Sequence, residues 1–393
     1  MNGGNVEKEL RVGIVGYGMM GKAHAYGYRA APLIRPNPVH FRPVVVSGRN
    51  AGAVARVAAD CGIDEWVTDW RQLIERSDVD VVDICSPPGT HSEIAQAAAA
   101  AGKAVICEKP LATSYAAAAA ARDAVVAAGV HHAIGFNYRR LPAVSLLAEM
   151  VANGELGEIH LWRGTWLSDE FVDPEIPFDW RFEAAMGGTT ICDLGSHLVD
   201  MATWMLGPIA EVSASSATFI RDRAVPGGTR PVEIDDASSA LIHFSSGAQG
   251  TMEVARAAPR RPCDFVVEVN GSRGTAVFSY TQLNELWFGS VDDDPRLYGM
   301  RRIRAEHPLH PQTSGWWPIG QGVGYDASFI NQMGDLAAAW PDQPWTPGFV
   351  EGASVAAVCE SMERSVSERR WVSVSEITGE TETPSTRPFS DNK

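Results

Sequence analysis

Within the nine residues CDLGSHLVD (192–200) stand two carboxylates and an imidazole, those of Asp193, Asp200 and His197. Asp193 and His197 are four positions apart, which puts them on one face of a helix. A histidine with an unperturbed pKa near ~6.5 can take up a proton at working pH. A carboxylate beside it can orient the ring or hold a hydroxyl. Asp200, three positions beyond His197, reads better as a supporting or helix-surface residue. The spacing also suits a histidine packed into a core beside Leu198 and Met201, so it does not decide alone. A cation is available elsewhere: CEKP (107–110) carries Glu108 and Lys109 directly after an apolar run.

The elements around these residues divide the chain in two. Up to residue 137, short apolar runs (11–18, 42–49, 79–88, 103–110, 131–138) alternate with alanine-rich helical stretches. That alternation predicts a doubly wound parallel sheet covered on both faces, a Rossmann-type α/β domain over 1–137. From 138 to 375 the pattern changes. Helical patterns at 142–154, 190–207, 326–340 and 350–369 surround a series of half-apolar alternating stretches from 158 and from 209 onward. This half is expected to be an α+β domain with a large, mainly antiparallel, open-faced sheet and helices on one side. Residues 376–393 form a polar tail.

GYGMMG places Gly16, Gly18 and Gly21, with Met19 and Met20 between them, after a strand and before a helix. The first glycine permits the tight turn, the second lets a pyrophosphate approach, and the third lets helix and strand pack closely. The helix N-terminus then supplies N–H donors and positive dipole. The chain is therefore expected to bind a dinucleotide. The second strand ends in Ser47-Gly48-Arg49-Asn50, with no acid to hold an adenosine ribose. Ser47 and Arg49 suit the 2′-phosphate of NADP, so these residues by themselves tilt toward NADP(H). Lys109 and SPPGTH (86–91), with Ser86, Pro87 and His91, fall at the C-terminal ends of strands, the edge where such sheets bind ligands. His91 equally suits the start of the next helix.

The segments GIVGYGMMGKAH, VDICSPPGTH, CEKPLATS, GFNYRRLPA and DLGSHLVDM, in that order, resemble the Gfo/Idh/MocA oxidoreductases, the family of glucose–fructose oxidoreductase and inositol dehydrogenase. NYRRLPAV, DPEIPFDWRF and WWPIGQGVGY are closest to the levoglucosan and glycoside 3-dehydrogenase branch. The resemblance covers residues from about 10 to 375. It implies oxidation of a secondary ring hydroxyl of a sugar, glycoside or cyclitol, with C3 of a glucoside or anhydrosugar as one target, and it moves the cofactor expectation back to NAD(H). It assigns the trio Lys109, Asp193 and His197. Such an oxidation needs a base at the hydroxyl, which His197 would supply, and a cation at the oxygen, which Lys109 would supply. The further cofactor candidates are Glu108, Asn137, Trp180 and Arg181, and the further substrate candidates Tyr138, Arg139, His310 and Gln321. Two other readings keep the glycine loop: a glycoside-cleaving enzyme with tightly bound, recycled NAD, and a non-catalytic nucleotide sensor.

Composition narrows the partners. The 393 residues carry a net charge of −15 with scattered basic residues, which argues against a nucleic-acid track. No apolar run approaches the ~20 residues that span a bilayer, and the N-terminus shows no secretory pattern. The six cysteines include no C-x-x-C pair and five have buried-type surroundings, as in a reducing cytoplasm. The histidines form no H-x-H or H-E-x-x-H pattern, so no metal is expected. A homodimer or homotetramer is expected.

Overall fold

The computed structural model describes residues 8–379. The first half runs β1 (Lys8–Val15), α1 (Met19–Ile34), β2 (Val39–Ser47), α2 (Ala51–Cys61), β3 (Glu65–Val67), α3 (Trp70–Ile74), β4 (Val81–Ile84), α4 (His91–Ala100), β5 (Ala104–Cys107), α5 (Tyr115–Ala128) and β6 (His132–Ile134). Its six strands are all parallel, in the order β3-β2-β1-β4-β5-β6. This is the doubly wound arrangement, and its order reverses between β1 and β4. β4 and β5 are buried along their whole length, which is why they read as continuous apolar runs.

Several helix ends in this half follow local chemistry. Asn50 and Ser114 accept hydrogen bonds from the backbone N–H groups of Ala53 and Ala117 and cap α2 and α5. Gly62 and Gly129 close the same helices in the left-handed conformation. α1 begins at Gly18 with no side-chain cap and no acid in its first turn. Its first N–H groups are left for a ligand.

The second half runs α6 (Pro142–Ala152), β7 (Ile159–Leu167), α7 (Ser196–Leu206), β8 (Ile209–Ala217), the hairpin β9 (Asp222–Val225) and β10 (Gly228–Pro231), β11 (Ala237–Phe244), β12 (Gln249–Ala255), β13 (Asp264–Gly271), β14 (Gly274–Ser279), β15 (Glu285–Ser290), β16 (Arg301–Arg304), α8 (Asp326–Ala339), α9 (Phe349–Glu368), β17 (Val372–Ser373) and α10 (Ser375–Thr378). Nine strands form one sheet, β16-β15-β14-β13-β7-β12-β11-β8-β17, antiparallel except where β12 runs parallel to β7. One face is core: Trp162, Val254, Val267, Phe278 and Leu286 are buried. Leu161 and Leu241 stand exposed on the other.

The two halves interlock more than a division at residue 137 suggests. α8 lies against α1, and Ile330, Met333, Leu336 and Trp345 share a core with Leu10, Val12, Tyr28 and Phe41 of the first half. Gly27 makes this possible, since a Cβ there would lie 3.2 Å from Phe329 Cβ. The chain entering α9 also docks on β6, where Ile134 N–H donates to Pro347 O. At the far end, α10 gives the first residues of the supposed polar tail a helical turn, and 380–393 lie outside the described residues.

Candidate active site

The glycine loop has the geometry its sequence implies. Gly16 has φ +111°, and a Cβ there would meet Cys85 O at 2.4 Å. A Cβ on Gly21 would meet Gly16 O at 2.1 Å, so this glycine lets α1 lie against β1. Gly18 has nothing within 4 Å of its Cβ position. Open space at the middle glycine, over an uncapped helix start, fits a dinucleotide pyrophosphate. At the end of β2, Ser47 is buried at 2% exposure, Asn50 is occupied as the α2 cap, and Arg49 remains exposed.

Lys109 follows β5 at the carboxyl edge of the sheet. Its turn is tied from the neighbouring strand end by His91, whose ring nitrogens lie 2.8 Å from Pro110 O and 2.7 Å from Ser86 O. His91 is fully buried, and burial lowers its pKa. Ser86 Oγ lies 2.7 Å from Thr90 Oγ1, while Pro87 precedes the short turn leading into α4. Lys109 Nζ donates to Asp193 Oδ1 at 2.8 Å and to Asp193 O at 2.9 Å. Residues of the two halves, 84 positions apart, thus share one ion pair.

The segment carrying Asp193 is not the regular helix its spacing suggests. Ile191–Gly195 is a π-helical turn that passes into α7 at Ser196. Such turns concentrate at functional sites. Asp235 holds its start, accepting from the backbone N–H and the hydroxyl of Thr190. Asp193 is also held by Arg256, whose Nη2 donates to Oδ2 at 3.0 Å. Burial would raise the Asp193 pKa, but Lys109 and Arg256 outweigh it and hold the carboxyl well below the usual range.

His197 lies one turn on, 5% exposed, against the rings of Tyr138 (4.8 Å), Trp166 (5.2 Å) and Phe136 (6.0 Å). Burial, then the charge of Lys109, push its pKa well below 6.5, with Asp193 opposing. The ring is therefore neutral at neutral pH and able to accept a proton.

Comparisons with known proteins identify the family. Residues 10–136 match the model of an oxidoreductase family with an NAD-binding Rossmann fold, and 144–277 match the GFO/IDH/MocA C-terminal domain. Levoglucosan dehydrogenase of Pseudarthrobacter phenanthrenivorans is 35% identical over 94% of this chain and 99% of its own length. The chain belongs to the GFO/IDH/MocA oxidoreductase family. The scyllo-inositol 2-dehydrogenase (NAD(+)) of Bacillus subtilis is 30% identical, over 69% of this chain and 74% of its own length. A solved structure of levoglucosan dehydrogenase in complex with NADH and levoglucosan superposes with a TM-score of 0.90 at 36% identity, covering 93% of this chain and 99% of that one. This GFO/IDH/MocA protein is accordingly an NAD-binding oxidoreductase with a Rossmann half and a mainly antiparallel half.

The remaining candidate residues divide. Trp180 and Arg181 stack at 4.6 Å, with Arg181 also paired to Asp179. The loop after them reaches the cofactor edge, where a Cβ on Gly89 would lie 2.9 Å from Ala185 O. Asn137 is bonded to Ser328 on α8. Arg139 forms a buried two-pronged ion pair with Asp200 (2.6 and 2.8 Å), so Asp200 is a buried supporting residue, not a helix-surface one. Gln321 lines a surface cleft of about 360 Å³ with Tyr26, Leu33 and Trp317, a cleft that Lys109, Asp193 and His197 do not line. His310 lies in the same loop, packed on His307 at 5.7 Å.

Sequence reasoning missed Arg256 and Glu170. Glu170, in the loop after β7, feels Asp193, Arg181 and Arg256, and burial raises its pKa. Their one signal is position, each just beyond the end of a strand. Sequence reasoning also missed a cluster behind Glu108: His24 lies 3.0 Å from Glu108 Oε1 and 2.9 Å from Asp83 Oδ2, with Tyr28 and Cys85 against the same group. His24, Asp83 and Cys85 bring three metal-type donors within 4.8 Å of one another, where no sequence spacing announced them. All six cysteines are free thiols, four buried and two half-buried.

Proposed function

We propose that this protein oxidises a secondary ring hydroxyl of a sugar, glycoside or cyclitol, with C3 of a glucoside or anhydrosugar such as levoglucosan as the leading target. The observation that carries this is Lys109 paired to Asp193 beside a neutral His197. Neither His197 ring nitrogen has a hydrogen-bond partner among the described residues. His197 takes the hydroxyl proton. Lys109 donates to the same oxygen and stabilises the charge that develops there. Asp193 fixes the ammonium through its carboxylate and its carbonyl. Bound nicotinamide supplies the hydride acceptor. Gly16, Gly18, Gly21 and the first turn of α1, with Met19 and Met20, would hold the pyrophosphate. Ser86, Pro87, Trp180 and Arg181 would border the nicotinamide end.

NAD is the favoured cofactor. The buried Ser47 leaves exposed Arg49 as the one residue of the strand-end pair able to meet a 2′-phosphate. A retained Lys109–Asp193–His197 set supports catalysis over nucleotide sensing, which needs only the glycine loop. Free thiols support a reducing, cytoplasmic setting, and Leu161 and Leu241 on the outer sheet face support pairing into a homodimer or homotetramer.

The test is NADH and NADPH formation across a panel of anhydrosugars, glycosides and inositols. NADH accumulating with levoglucosan or a glucoside is the expected result. Absence of turnover across the panel would overturn the reading. Activity with NADP alone would reverse the cofactor choice, and glycoside cleavage with no net NADH would indicate a recycled cofactor.

A further inference from the structure

Arg256 is one of the most deeply buried charges of the protein, 1% exposed, at the first position after β12. Its Nη2 reaches the chain just before the π-turn, at Thr189 O (3.2 Å), and the turn itself, at Asp193 Oδ2 (3.0 Å). Thr189 O is also the acceptor of Asp193 N–H at 2.9 Å. Its Nε and Nη1 are buried with no partner, and the guanidinium lies 5.5 Å from the Phe171 ring. Desolvating a cation this completely is costly unless it is paired. Among the described residues, Asp193 is the one carboxylate within ion-pair distance. The backbone of Arg256 is held independently of that pair, by Arg256 N–H to Asp236 O (2.9 Å) and Phe171 N–H to Arg256 O (3.0 Å).

The charge count gives this pairing a consequence. With Lys109 alone, Asp193 would neutralise the ammonium, and the pair would present no net charge to a substrate oxygen. With Arg256 on the second carboxylate oxygen, two cations share one anion and the set carries one net positive charge. Arg256 keeps only 1% of its side chain exposed, whereas Lys109 keeps 15% and Asp193 33%.

We propose that Arg256 is a positioning residue for this site: it takes up half of Asp193, fixes that carboxylate against Lys109, and leaves Lys109 positive toward the substrate oxygen. The inference rests on the dehydrogenase reading above. The other charged groups facing Asp193 are His197 on α7, Glu170 in the loop after β7 and, through Glu170, Arg181.

A double-mutant cycle with Arg256→Gln and Asp193→Asn tests it. A residue acting through Asp193 loses its effect once Asp193 is neutral. Arg256→Gln is expected to lower kcat about thirtyfold in the wild-type background and less than about threefold in Asp193→Asn, with NADH affinity unchanged. Arg256→Lys, which keeps the charge, is expected to restore most of the loss. Equal losses in both backgrounds, or a loss confined to NADH affinity, would overturn the proposal. If Arg256→Gln does not fold, Arg256→Met, which removes the charge but keeps an apolar stem near Phe171, carries the cycle, and a loss that persists undiminished in Asp193→Asn overturns the proposal. A wild-type protein inert on every polyol with both cofactors overturns the dehydrogenase reading itself, whereas independent losses in an active enzyme overturn only the role of Arg256.

Discussion

Two buried histidines sit in opposite electrostatic surroundings, on either side of the consecutive residues Glu108 and Lys109. His24 lies between the carboxylates of Asp83 and Glu108, with Tyr28 O–H donating to the same Asp83. Burial pushes its pKa down, but Asp83 and Cys85 together outweigh burial and hold it well above 6.5. His197 is buried to a similar degree, and there burial and then the Lys109 ammonium lower its pKa, with Asp193 opposing. Consecutive residues join the two: Glu108 turns inward to His24, and Lys109 turns outward to Asp193. Burial lowers both pKa values; the groups around His24 overturn that effect, whereas Lys109 adds to it at His197. The His24 ring is hydrogen-bonded on both nitrogens, whereas the His197 ring nitrogens have no hydrogen-bond partner among the described residues.

The comparison can be broken most directly at the catalytic end. His197→Ala should lower kcat by about 10³-fold or more, with NADH binding retained in a fluorescence titration. Unchanged turnover would remove His197 from the mechanism. At the sealed end, His24→Gln leaves two buried carboxylates without their cation. Chemical denaturation should show a loss of about 3–5 kcal/mol, and any loss of activity should follow the loss of fold.

The smallest effects concern pH, and they carry opposite signs. The pKa of His24 is raised on folding, so its stabilisation is fully present below its unfolded value near ~6.5 and is lost only as pH rises through the higher folded value. That of His197 is depressed. Its cost to stability grows as pH falls below ~6.5 and stops growing beneath its folded value. NMR titration of the two rings should find His24 protonated and His197 neutral at pH ~7. Lys109→Met should move the His197 midpoint upward, because a cation is removed. A downward shift, or none, would mean that burial alone sets the His197 pKa.

Much of the site was legible from local chemistry. Gly16 and Gly21 each have a steric task that no other residue type performs, and Gly18 leaves open space between them, so the loop announces itself in the sequence. Lys109 at a strand end and Asp193 with His197 at helical spacing are visible because one element positions each. The Arg139–Asp200 pair was not visible. Arg139 alone looks like a site residue and Asp200 like a supporting or helix-surface one, and only the packing of α7 on the segment before α6 shows that they pair. The alternating stretches from 158 onward predict the sheet by their period, but β12 running parallel to β7 is a matter of topology, which period does not encode.

What the sequence by itself determined is therefore the set of local devices: the glycine turn, the capped helices, the parallel and antiparallel halves, and the residue types able to move a proton. Local sterics and periodicity act within a few residues, so they can be read along the chain. Only the tertiary structure decided which charges meet. Arg256 reaches Asp193 across 63 positions, and His24 reaches Glu108 across 84. Electrostatic partnership depends on distance in space and on burial, and neither is written in the spacing of residues along the chain.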